Sequence, residues 1–367
     1  MIVKNESHVI ERCLESVKPL IDFVLIQDTG STDNTIDVIV NWLNKNGIDG
    51  TVFSEEWINF AHNRSLSLLK LHEKSYIDYA LMIDADEIII YNDDFNPYEF
   101  KSQMDADVYD ICTKMGSTTY LRPQISSNKK HFRYEGVVHE FLTGEITTRK
   151  SVEGFYNQPI QDSYRNKTGN KFEKDVVLLK KAIEETQDLW FKSRYTFYLA
   201  QSLRDLQKRE ESLEYYLKRG EMGFWNEEIF VSYLNAAILM RELNYPHSEI
   251  IFTYMKGHES CPTRAECIHG LIQYCRIHGF FNLGYILGRQ GISIGKPQNA
   301  LFSDEWIYDY GITDEFSILC YYSGNFLESK QNCEKLLHEN KIPTHYIDRI
   351  QGNLKFAVDK LKFSDIQ

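Results

Sequence analysis

The chain has 367 residues, of which 43% are hydrophobic and 26% are charged. This composition is sufficient for a packed core and excludes a largely disordered protein, and the length predicts two domains. With 41 Lys and Arg against 53 Asp and Glu, the net charge of −12 makes the chain a poor general binder of nucleic acid or anionic membranes.

The sequence also lacks the usual signals for secretion or membrane insertion. No apolar run approaches the about 20 residues that a membrane-spanning helix needs. The first residues, MIVKNESHVIERC, carry charges where a signal peptide has its apolar stretch. The seven Cys residues are odd in number and scattered, which is typical of reduced thiols. We therefore expect a soluble, cytoplasmic protein without a transmembrane segment.

In the N-terminal part of the chain, short apolar runs alternate with amphipathic stretches. Residues 21–26 and 79–83 are continuous hydrophobic runs, which predict buried parallel strands. Residues 51–53 predict a further short strand, and residues 32–46 and 59–72 have the spacing of helices. This alternation predicts an α/β sheet with crossover helices.

After about Asn166 the predicted strands end and helical stretches follow one another. The segments YLAQSLRDL, YLNAAILMREL and GLIQYCRIHG recur at a spacing in the mid-thirties, close to the about 34-residue unit of tetratricopeptide repeats. The sequence thus predicts domains at residues 1–165 and 166–367, the second an all-α tetratricopeptide-like array; the alternative is an irregular helical domain. The predicted helices cover residues 171–185, 190–206, 210–220, 227–243, 247–256, 263–278, 283–289, 314–323 and 327–339.

Two carboxylates follow the predicted strand at residues 79–83. Ligands of open α/β sheets bind beyond the carboxyl ends of the strands, and Asp84 and Asp86 lie at such an end. A D-x-D pair suits a hard divalent cation that shares its shell with water and substrate phosphates. The alternative is a solvated acidic turn, but the strand directly before the pair and Glu87 after it favour a metal site.

The turn at residues 28–33 follows the other predicted strand. Its carboxylates and hydroxyls can hold a base and ribose by hydrogen bonds, although Ser31, Thr32 or Asp33 can equally cap the following helix. The absence of G-x-x-x-x-G-K-[ST] and G-x-G-x-x-G motifs makes an NTPase or a dehydrogenase less favoured.

Three further residues complete the candidate chemistry. His139 follows an apolar pair and could add a metal ligand, and Glu140 could act as a general base. Arg64, on the helix before the D-x-D strand, could neutralise a diphosphate. Taken singly, a His-Glu pair is usually structural and an Arg on a helix is usually a surface residue.

In combination, these motifs resemble family 2 glycosyltransferases with the GT-A fold. The segments that carry the resemblance are MIVKNE, DTGSTDNT, NFAHNR and LMIDADE, in that order. The segment YEGVVHE resembles the G-x-x-H-E motif of a subgroup, some of whose members carry tetratricopeptide-like helices. The resemblance implies an α/β, Rossmann-like GT-A nucleotide-sugar domain followed by an all-α helical-repeat domain.

The resemblance also implies roles for individual residues. Asp28 would contact the base, Asp86 would be the main ligand of Mn²⁺ or Mg²⁺, and His139 would add a ligand. The residues that would line the nucleotide-sugar site are Val3, Asn5, Glu6, Asp28, Ser31, Asp33, Arg64, Asp84 and Ala85.

The implied reaction transfers a sugar, hexosyltransferase-type, from a nucleotide-sugar to an acceptor. The donor is expected to be a UDP-sugar, and the metal would bridge its two phosphates. Family 2 enzymes are generally inverting, so a carboxylate should deprotonate the acceptor; Glu140 is the first candidate and Glu87 its rival. The acceptor is expected to be a glycan or a polypeptide, held in part by the helical repeats.

Other functions remain open at this point. The chain could be a binding scaffold whose sugar-transferase domain is inactive, although such a scaffold would not require both aspartates and His139. A nucleotidyltransferase would also pair carboxylates with a metal, but it fits the turn at 28–33 less well. The Cys and His residues of the helical half lack the C-x₂-C spacing of zinc sites, so we expect them to be packing residues.

Overall fold

The computed structural model of the protein describes residues 1–116, 118–167, 171–298 and 300–364. It divides into two compact units, Met1–Tyr198 and Leu199–Gln367. The first unit combines strands and helices, whereas the described part of the second is helical. The predicted change from α/β to all-α structure is therefore confirmed.

The first unit begins with a parallel three-stranded sheet in the order β1-β2-β3. The strands span Ile2–Val3 (β1), Phe23–Asp28 (β2) and Asp49–Ser54 (β3), and the helices between them span Ile10–Val17 (α1) and Thr35–Asn46 (α2). The helix α2 is followed by Gly47, which adopts a left-handed φ of 63°. A glycine in this conformation commonly ends a helix. The parallel pairing expected for residues 21–26 is confirmed, and it brings three carboxyl strand ends to one edge.

A second sheet in the same unit has the order β4-β7-β6-β11-β5, and β10 pairs with β6. The strand β4 (Tyr79–Leu81) pairs antiparallel with β7 (Thr118–Ser127), so the prediction of a parallel strand at residues 79–83 is wrong. The strand lies at the edge of the sheet, and its Ala80 is in a buried cluster with Leu68 and Val108. A hydrophobic run is compatible with this arrangement as well as with a parallel strand, so hydrophobicity alone does not distinguish the two. The other strands of this sheet are Glu87–Tyr91 (β5), Val108–Met115 (β6), Arg149–Ser151 (β10) and Phe155–Pro159 (β11).

The remaining elements of the first unit flank these sheets. The strands Phe132–Glu135 (β8) and Phe141–Gly144 (β9) form an antiparallel hairpin. The helix α3 (Phe60–His72) begins after Asn59, whose side chain accepts the His62 N–H, an N-cap that fixes where the helix starts. The other helices are Pro97–Ser102 (α4), Tyr164–Lys167 (α5), Lys171–Glu185 (α6) and Leu189–Asp205 (α7), the last continuing into the second unit.

The second unit is a series of helical hairpins in which consecutive helices pack together. Each of the predicted helical segments forms a helix in the structure. The structure also has a π-helical turn at Ile307–Gly311 and a long C-terminal helix, which the sequence did not predict. The helices after α7 span Arg209–Gly220 (α8), Asn226–Glu242 (α9), His247–Ser260 (α10), Glu266–Ile277 (α11), Phe281–Gly291 (α12), Ile312–Tyr322 (α13), Phe326–Glu339 (α14) and Ile347–Ser364 (α15).

The hairpins pack closely because glycines lie where helices cross. A Cβ on Gly220 would lie 2.5 Å from the Tyr233 ring, and a Cβ on Gly257 would lie 2.5 Å from the Cys267 Sγ. The same kind of crossing thus joins α8 to α9 and α10 to α11. No helix within the described residues has the length and apolar character needed to cross a membrane.

Candidate functional site

A cavity of about 490 Å³ lies at the carboxyl ends of the three parallel strands. Its wall is formed by the last residue of β3 and by the residues that follow β1, β2 and β3. They are Lys4, Thr29, Gly30, Ser54, Glu55, Glu56 and Trp57. This position agrees with the general location of ligand sites in open α/β sheets.

The turn after β2 is held by its own polar side chains. The buried Asp28 carboxylate accepts hydrogen bonds from the backbone N–H groups of Gly30 and Ser31, both at 3.0 Å. Asn5 accepts the Thr32 N–H at 2.7 Å and donates its own N–H to the Ser31 hydroxyl at 2.9 Å. Asp28, Asn5 and Ser31 therefore fix the shape of the cavity edge.

Val3, Asp33 and Thr35 complete this framework. The carbonyl oxygen of the buried Val3 accepts the backbone N–H of Thr29. The Asp33 carboxylate accepts the N–H and the hydroxyl of Thr35 and the N–H of Ser7. Partial burial opposes ionisation, but these hydrogen bonds lower the pKa of Asp33 below its ordinary value. The N-cap position of α2 is Asn34, whose side chain makes no capping bond. Of the three predicted capping residues, Asp33 accepts the first N–H of the helix, and it also belongs to the predicted nucleotide site.

The D-x-D turn is closed by Glu87. The Glu87 N–H donates to the Asp84 carbonyl, and the Glu87 carboxylate accepts the Asp84 N–H, both at 3.1 Å. Arg122 donates to both Glu87 oxygens, at 2.7 and 2.5 Å. Burial raises the pKa of Glu87, Arg122 opposes this effect, and the charge of Asp84 adds to it. Ala85, between the two aspartates, is buried.

Arg64 is a buried cation between two carboxylates. Its guanidinium donates to Asp84 at 2.6 Å, and its Nε lies 2.6 Å from the Glu140 carboxylate in an ion pair without hydrogen-bond alignment. Burial would lower the pKa of Arg64, but Asp84 and Glu140 raise it above its ordinary value. Burial likewise opposes ionisation of Asp84, whereas Arg64 and then Arg122 lower its pKa. Asp84, the first aspartate of the D-x-D, is therefore in one ionic network with Arg64 and Glu140.

Asp86 belongs to a second group of carboxylates. It accepts the Ser163 N–H at 3.3 Å, and the nearby Glu6 carboxylate accepts the Tyr164 N–H, also at 3.3 Å. Burial raises the pKa of Glu6 to about 7; the Tyr164 N–H opposes this shift, and the charges of Asp86 and Asp162 add to it. The structure thus gathers negative charge around Asp86, on the side of Glu6.

A resident metal cage is not preformed around these carboxylates. Within the described residues, no group of three His, Cys, Asp or Glu residues is arranged to hold a metal ion. Asp86 nevertheless has the chemistry of a ligand for Mn²⁺ or Mg²⁺, which take one or two protein carboxylates and complete their shell with substrate phosphates and water. The negative charge at Glu6 and Asp86 fits a cation of this kind.

The structure places His139 against an aromatic ring. His139 has a left-handed φ of 51°, and its ring stacks on Tyr198 with centroids 4.0 Å apart. Its carbonyl accepts a hydrogen bond from Arg194 at 3.0 Å. Packing around the ring, followed by the charges of Lys171 and Arg194, lowers the pKa of His139, although the side chain is exposed. A His that binds a metal uses a neutral ring, but the His139 ring stacks on Tyr198.

Lys4, Trp57 and Arg122 were not among the predicted site residues. Lys4 lies inside the MIVKNE segment, and Trp57 directly follows β3, so their positions at strand ends were available as a signal. Arg122 lies in the middle of β7, and nothing local in the sequence relates it to Glu87.

Comparison with known proteins gives relatives of both kinds that the sequence analysis expected. The chain is 24% identical over 233 residues to the SPbeta prophage-derived glycosyltransferase SunS of Bacillus subtilis. This alignment covers 59% of this chain and 51% of SunS. It is 24% identical over 234 residues to an uncharacterized glycosyltransferase of Rickettsia felis, covering 61% and 75% of the two chains. A TPR repeat-containing protein of Synechococcus elongatus is 25% identical over 163 residues, or 42% of this chain and 37% of that protein. No protein-family profile matches the chain.

The chain thus spans about half the length of SunS. Among solved structures, a tetratricopeptide repeat protein from Parabacteroides merdae aligns with a TM-score of 0.40 and 16% identity, over 54% of this chain and 71% of that one. YrrB, a TPR protein, aligns with a TM-score of 0.35 and 12% identity, over 53% and 86%.

Proposed function

We propose that the protein is a family 2 glycosyltransferase of the GT-A type, which transfers a sugar from a UDP-sugar in a metal-dependent, inverting reaction. The observation that supports this most directly is the cavity at three parallel strand ends, with the D-x-D turn held close by. Glu6, two residues after Lys4 of the cavity, lies near Asp86. Glycosyltransferase relatives at about 24% identity agree with this function.

The cavity suits the nucleoside of the donor. Its volume of about 490 Å³ lies within the usual range of ligand sites, about 300–1,000 Å³. Trp57 is 41% exposed and offers a flat ring to a base. Gly30 has a φ of +101°, which other residues adopt only with strain, so it allows the backbone to approach the donor. Lys4 supplies a positive charge beside Gly30.

Asp86 would hold Mn²⁺ or Mg²⁺ together with the donor diphosphate. When bound, the ion neutralises negative charge on the departing nucleoside diphosphate. Asp84 is already paired with Arg64, so its role is to orient the turn and the ribose rather than to bind the ion directly. His139 would reach a metal only by turning away from Tyr198.

Glu140 is the stronger candidate for the general base. The Glu87 side chain is 4% exposed, and its oxygens are bonded to Arg122 and the Asp84 N–H. The Glu140 side chain is 12% exposed, with Arg64 as its ion-pair partner. Glu140 would therefore accept the acceptor proton, and Glu87 would position the D-x-D turn. The acceptor is a glycan or a polypeptide.

Melting experiments with a panel of UDP-, GDP-, CMP- and ADP-sugars, with and without Mn²⁺, test this function. A donor at 100 times its dissociation constant should stabilise the protein by about 2.7 kcal/mol. We expect a Mn²⁺-dependent shift with UDP-sugars that is lost in Asp86→Ala and kept in Asp94→Ala, a matched change at an exposed carboxylate. The absence of a shift with every donor and metal would contradict the proposal.

A further inference from the structure

Two polar side chains of the first unit, Arg122 on β7 and Tyr134 on β8, lie beside the ionic network of Arg64, Asp84 and Glu140. Neither was among the residues that the sequence predicted for the site. The Arg122 and Asp84 side chains are each 31% exposed, and Tyr134 is half-buried. This part of the site is therefore open to a ligand.

Arg122 uses only one corner of its guanidinium within the protein. Its Nη2 donates to both oxygens of Glu87, at 2.7 and 2.5 Å, and Glu87 in turn accepts the Asp84 N–H at 3.1 Å. The Nε and Nη1 of Arg122 form no hydrogen bond with any residue that the structure describes. Because a guanidinium carries five N–H donors in a planar fork, the Nε–Nη1 edge retains donors for a ligand.

Tyr134 offers a second polar group of this kind. Its backbone is fixed to α3, because its N–H donates to the Ser65 hydroxyl at 2.8 Å and its carbonyl accepts the same hydroxyl at 3.3 Å. The Arg64 guanidinium lies 5.8 Å from the centre of the Tyr134 ring. Within the described part of the chain, the Tyr134 hydroxyl itself makes no hydrogen bond.

The charges of the site act on this hydroxyl from several sides. Burial raises the pKa of Tyr134 to about 12; Arg64 and Arg122 oppose this shift, and Glu140 and Asp84 add to it. The hydroxyl therefore keeps its proton at neutral pH and can both donate and accept a hydrogen bond. The influence of all four charged groups on one hydroxyl agrees with a common space between Arg122, Tyr134 and Glu140.

The charge of this space favours a neutral polar ligand. Each of its guanidinium groups is already paired with at least one carboxylate, so a further anion would gain little attraction. Sugar hydroxyls fit better, because they accept hydrogen bonds from a guanidinium and exchange them in both directions with a tyrosine. The charged groups are Arg64, Arg122, Asp84, Glu87 and Glu140.

The next step rests on the proposed function. In that reaction Asp86 holds the metal and the donor diphosphate, and Glu140 accepts the proton of the acceptor. The donor sugar must lie within reach of that acceptor, because the acceptor oxygen attacks the anomeric carbon of the sugar. The Glu140 side of the D-x-D turn, where Arg122 and Tyr134 lie, is therefore the side of the sugar.

We propose that Arg122 and Tyr134 bind hydroxyl groups of the donor sugar, and that this sugar is a neutral hexose. The Nε–Nη1 edge of Arg122 donates to the hydroxyl oxygens, and the Tyr134 hydroxyl bonds a further one. Both residues determine specificity and neither takes up a proton. Arg122 thus has two tasks, since its Nη2 also holds Glu87 and, through it, the D-x-D turn.

Calorimetric titration of the full chain in Mn²⁺ tests this inference with UDP, UDP-glucose, UDP-galactose and UDP-N-acetylglucosamine. The UDP-sugar that binds most tightly is then titrated into Arg122→Lys and Tyr134→Phe. Its dissociation constant should rise about 10–100-fold in Arg122→Lys, which loses charged hydrogen bonds, and about 3–10-fold in Tyr134→Phe, which loses a neutral one. The dissociation constant of UDP should stay unchanged, because UDP lacks the sugar.

UDP also serves as the control for a purely structural effect. A variant that only loosens the D-x-D turn would weaken UDP and the UDP-sugar together. Arg149→Lys is the matched control for Arg122→Lys, because Arg149 also lies on a strand and binds a buried carboxylate, Asp110, at 2.6 and 2.7 Å. It should alter neither dissociation constant. UDP-glucuronic acid, which carries an additional carboxylate, should bind more weakly than UDP-glucose.

The outcomes separate this inference from the proposed function. Parallel losses of UDP and UDP-sugar affinity in both variants, unchanged affinities in both, or tighter binding of UDP-glucuronic acid than of UDP-glucose would overturn the inference and leave the donor site in place. Binding of UDP without any of the three UDP-sugars would also overturn it. Tyr134→Phe keeps the test decisive if Arg122→Lys fails to fold. No binding of UDP or any UDP-sugar would contradict the proposed function, and the inference with it.

Discussion

The ionic network around Arg64 makes a quantitative prediction about stability. Replacing Arg64 by Met keeps much of the side-chain volume but leaves Asp84 and Glu140 without their common cation. Both carboxylates are only partly solvated, with side chains 31% and 12% exposed. Removing one partner of a buried ion pair typically costs about 3–5 kcal/mol, because it leaves an uncompensated charge.

We expect Arg64→Met to lower the free energy of unfolding by about 3 kcal/mol, near the lower end of that range, because Arg122 still stabilises the Asp84 charge. For a domain of about 150–250 residues, the size of the unit Met1–Tyr198 that contains Arg64, each kcal/mol shifts the melting midpoint by about 2–4 °C. Arg64→Met should therefore melt roughly 6–12 °C below the wild type. Adding Glu140→Gln to Arg64→Met should restore part of this loss, because one of the two unpaired charges is then removed.

Arg133→Met is the matched control for this experiment. Arg133 forms an ion pair with Glu135, but its side chain is 65% exposed, and exposed pairs contribute about 0–1 kcal/mol. Urea unfolding of the three variants at one pH gives the comparison. An Arg64→Met variant no less stable than Arg133→Met would refute the conclusion that Arg64 holds two buried carboxylates together.

Three further predictions concern the proposed donor site. Glu140→Gln should lower the turnover number by about 10²–10⁴-fold with donor affinity retained. Glu87→Gln should weaken donor binding as well, because it loosens the D-x-D turn. Equal effects of the two variants on the turnover number and on donor affinity would contradict these roles. Trp57→Ala should raise the dissociation constant for the nucleoside diphosphate about tenfold, measured by calorimetry, and an unchanged constant would exclude stacking. For Glu6, the folded-state pKa of about 7 exceeds the ordinary value of 4.5, so the folded protein retains a proton that the unfolded chain loses, and stability should fall as pH rises from about 4.5 to 7. Glu6→Gln should remove that slope from melting curves recorded between these pH values, and an unchanged slope would assign it to other groups.

The sequence predicted those parts of the fold in which local pattern and burial agree. The helix α3 is an example: Asn59 provides a cap, and the apolar spacing continues to His72, so its span was predicted within one residue. The antiparallel pairing of β4 was not predictable, because the partner β7 lies 37 or more residues further along the chain and the run at residues 79–83 is equally hydrophobic in either pairing. Long-range partners of this kind leave no local signal.

The candidate site divides in the same way. Asp84 and Asp86 were recognised as a pair because they follow a strand, but the sequence could not separate their roles. That separation depends on Arg64, which comes from a different element and pairs with Asp84. Similarly, the sequence predicted Glu140 as the first candidate base and Glu87 as its rival, and it held no sign that Arg122, in the middle of β7, pairs with Glu87.

The separation of the two aspartates has a chemical consequence for the proposed reaction. A carboxylate already bound to a buried guanidinium is a poor ligand for a second cation, because binding the metal would require breaking the ion pair within a partly desolvated site. Asp86 accepts the Ser163 N–H at 3.3 Å, and a metal could bind beside that bond without displacing it. A cation there would relieve the repulsion that the Asp86 charge exerts on the Glu6 carboxylate, while Arg64 holds Asp84 and Glu140. In the proposed reaction, metal binding would therefore depend on Asp86, and the shape of the turn on Asp84.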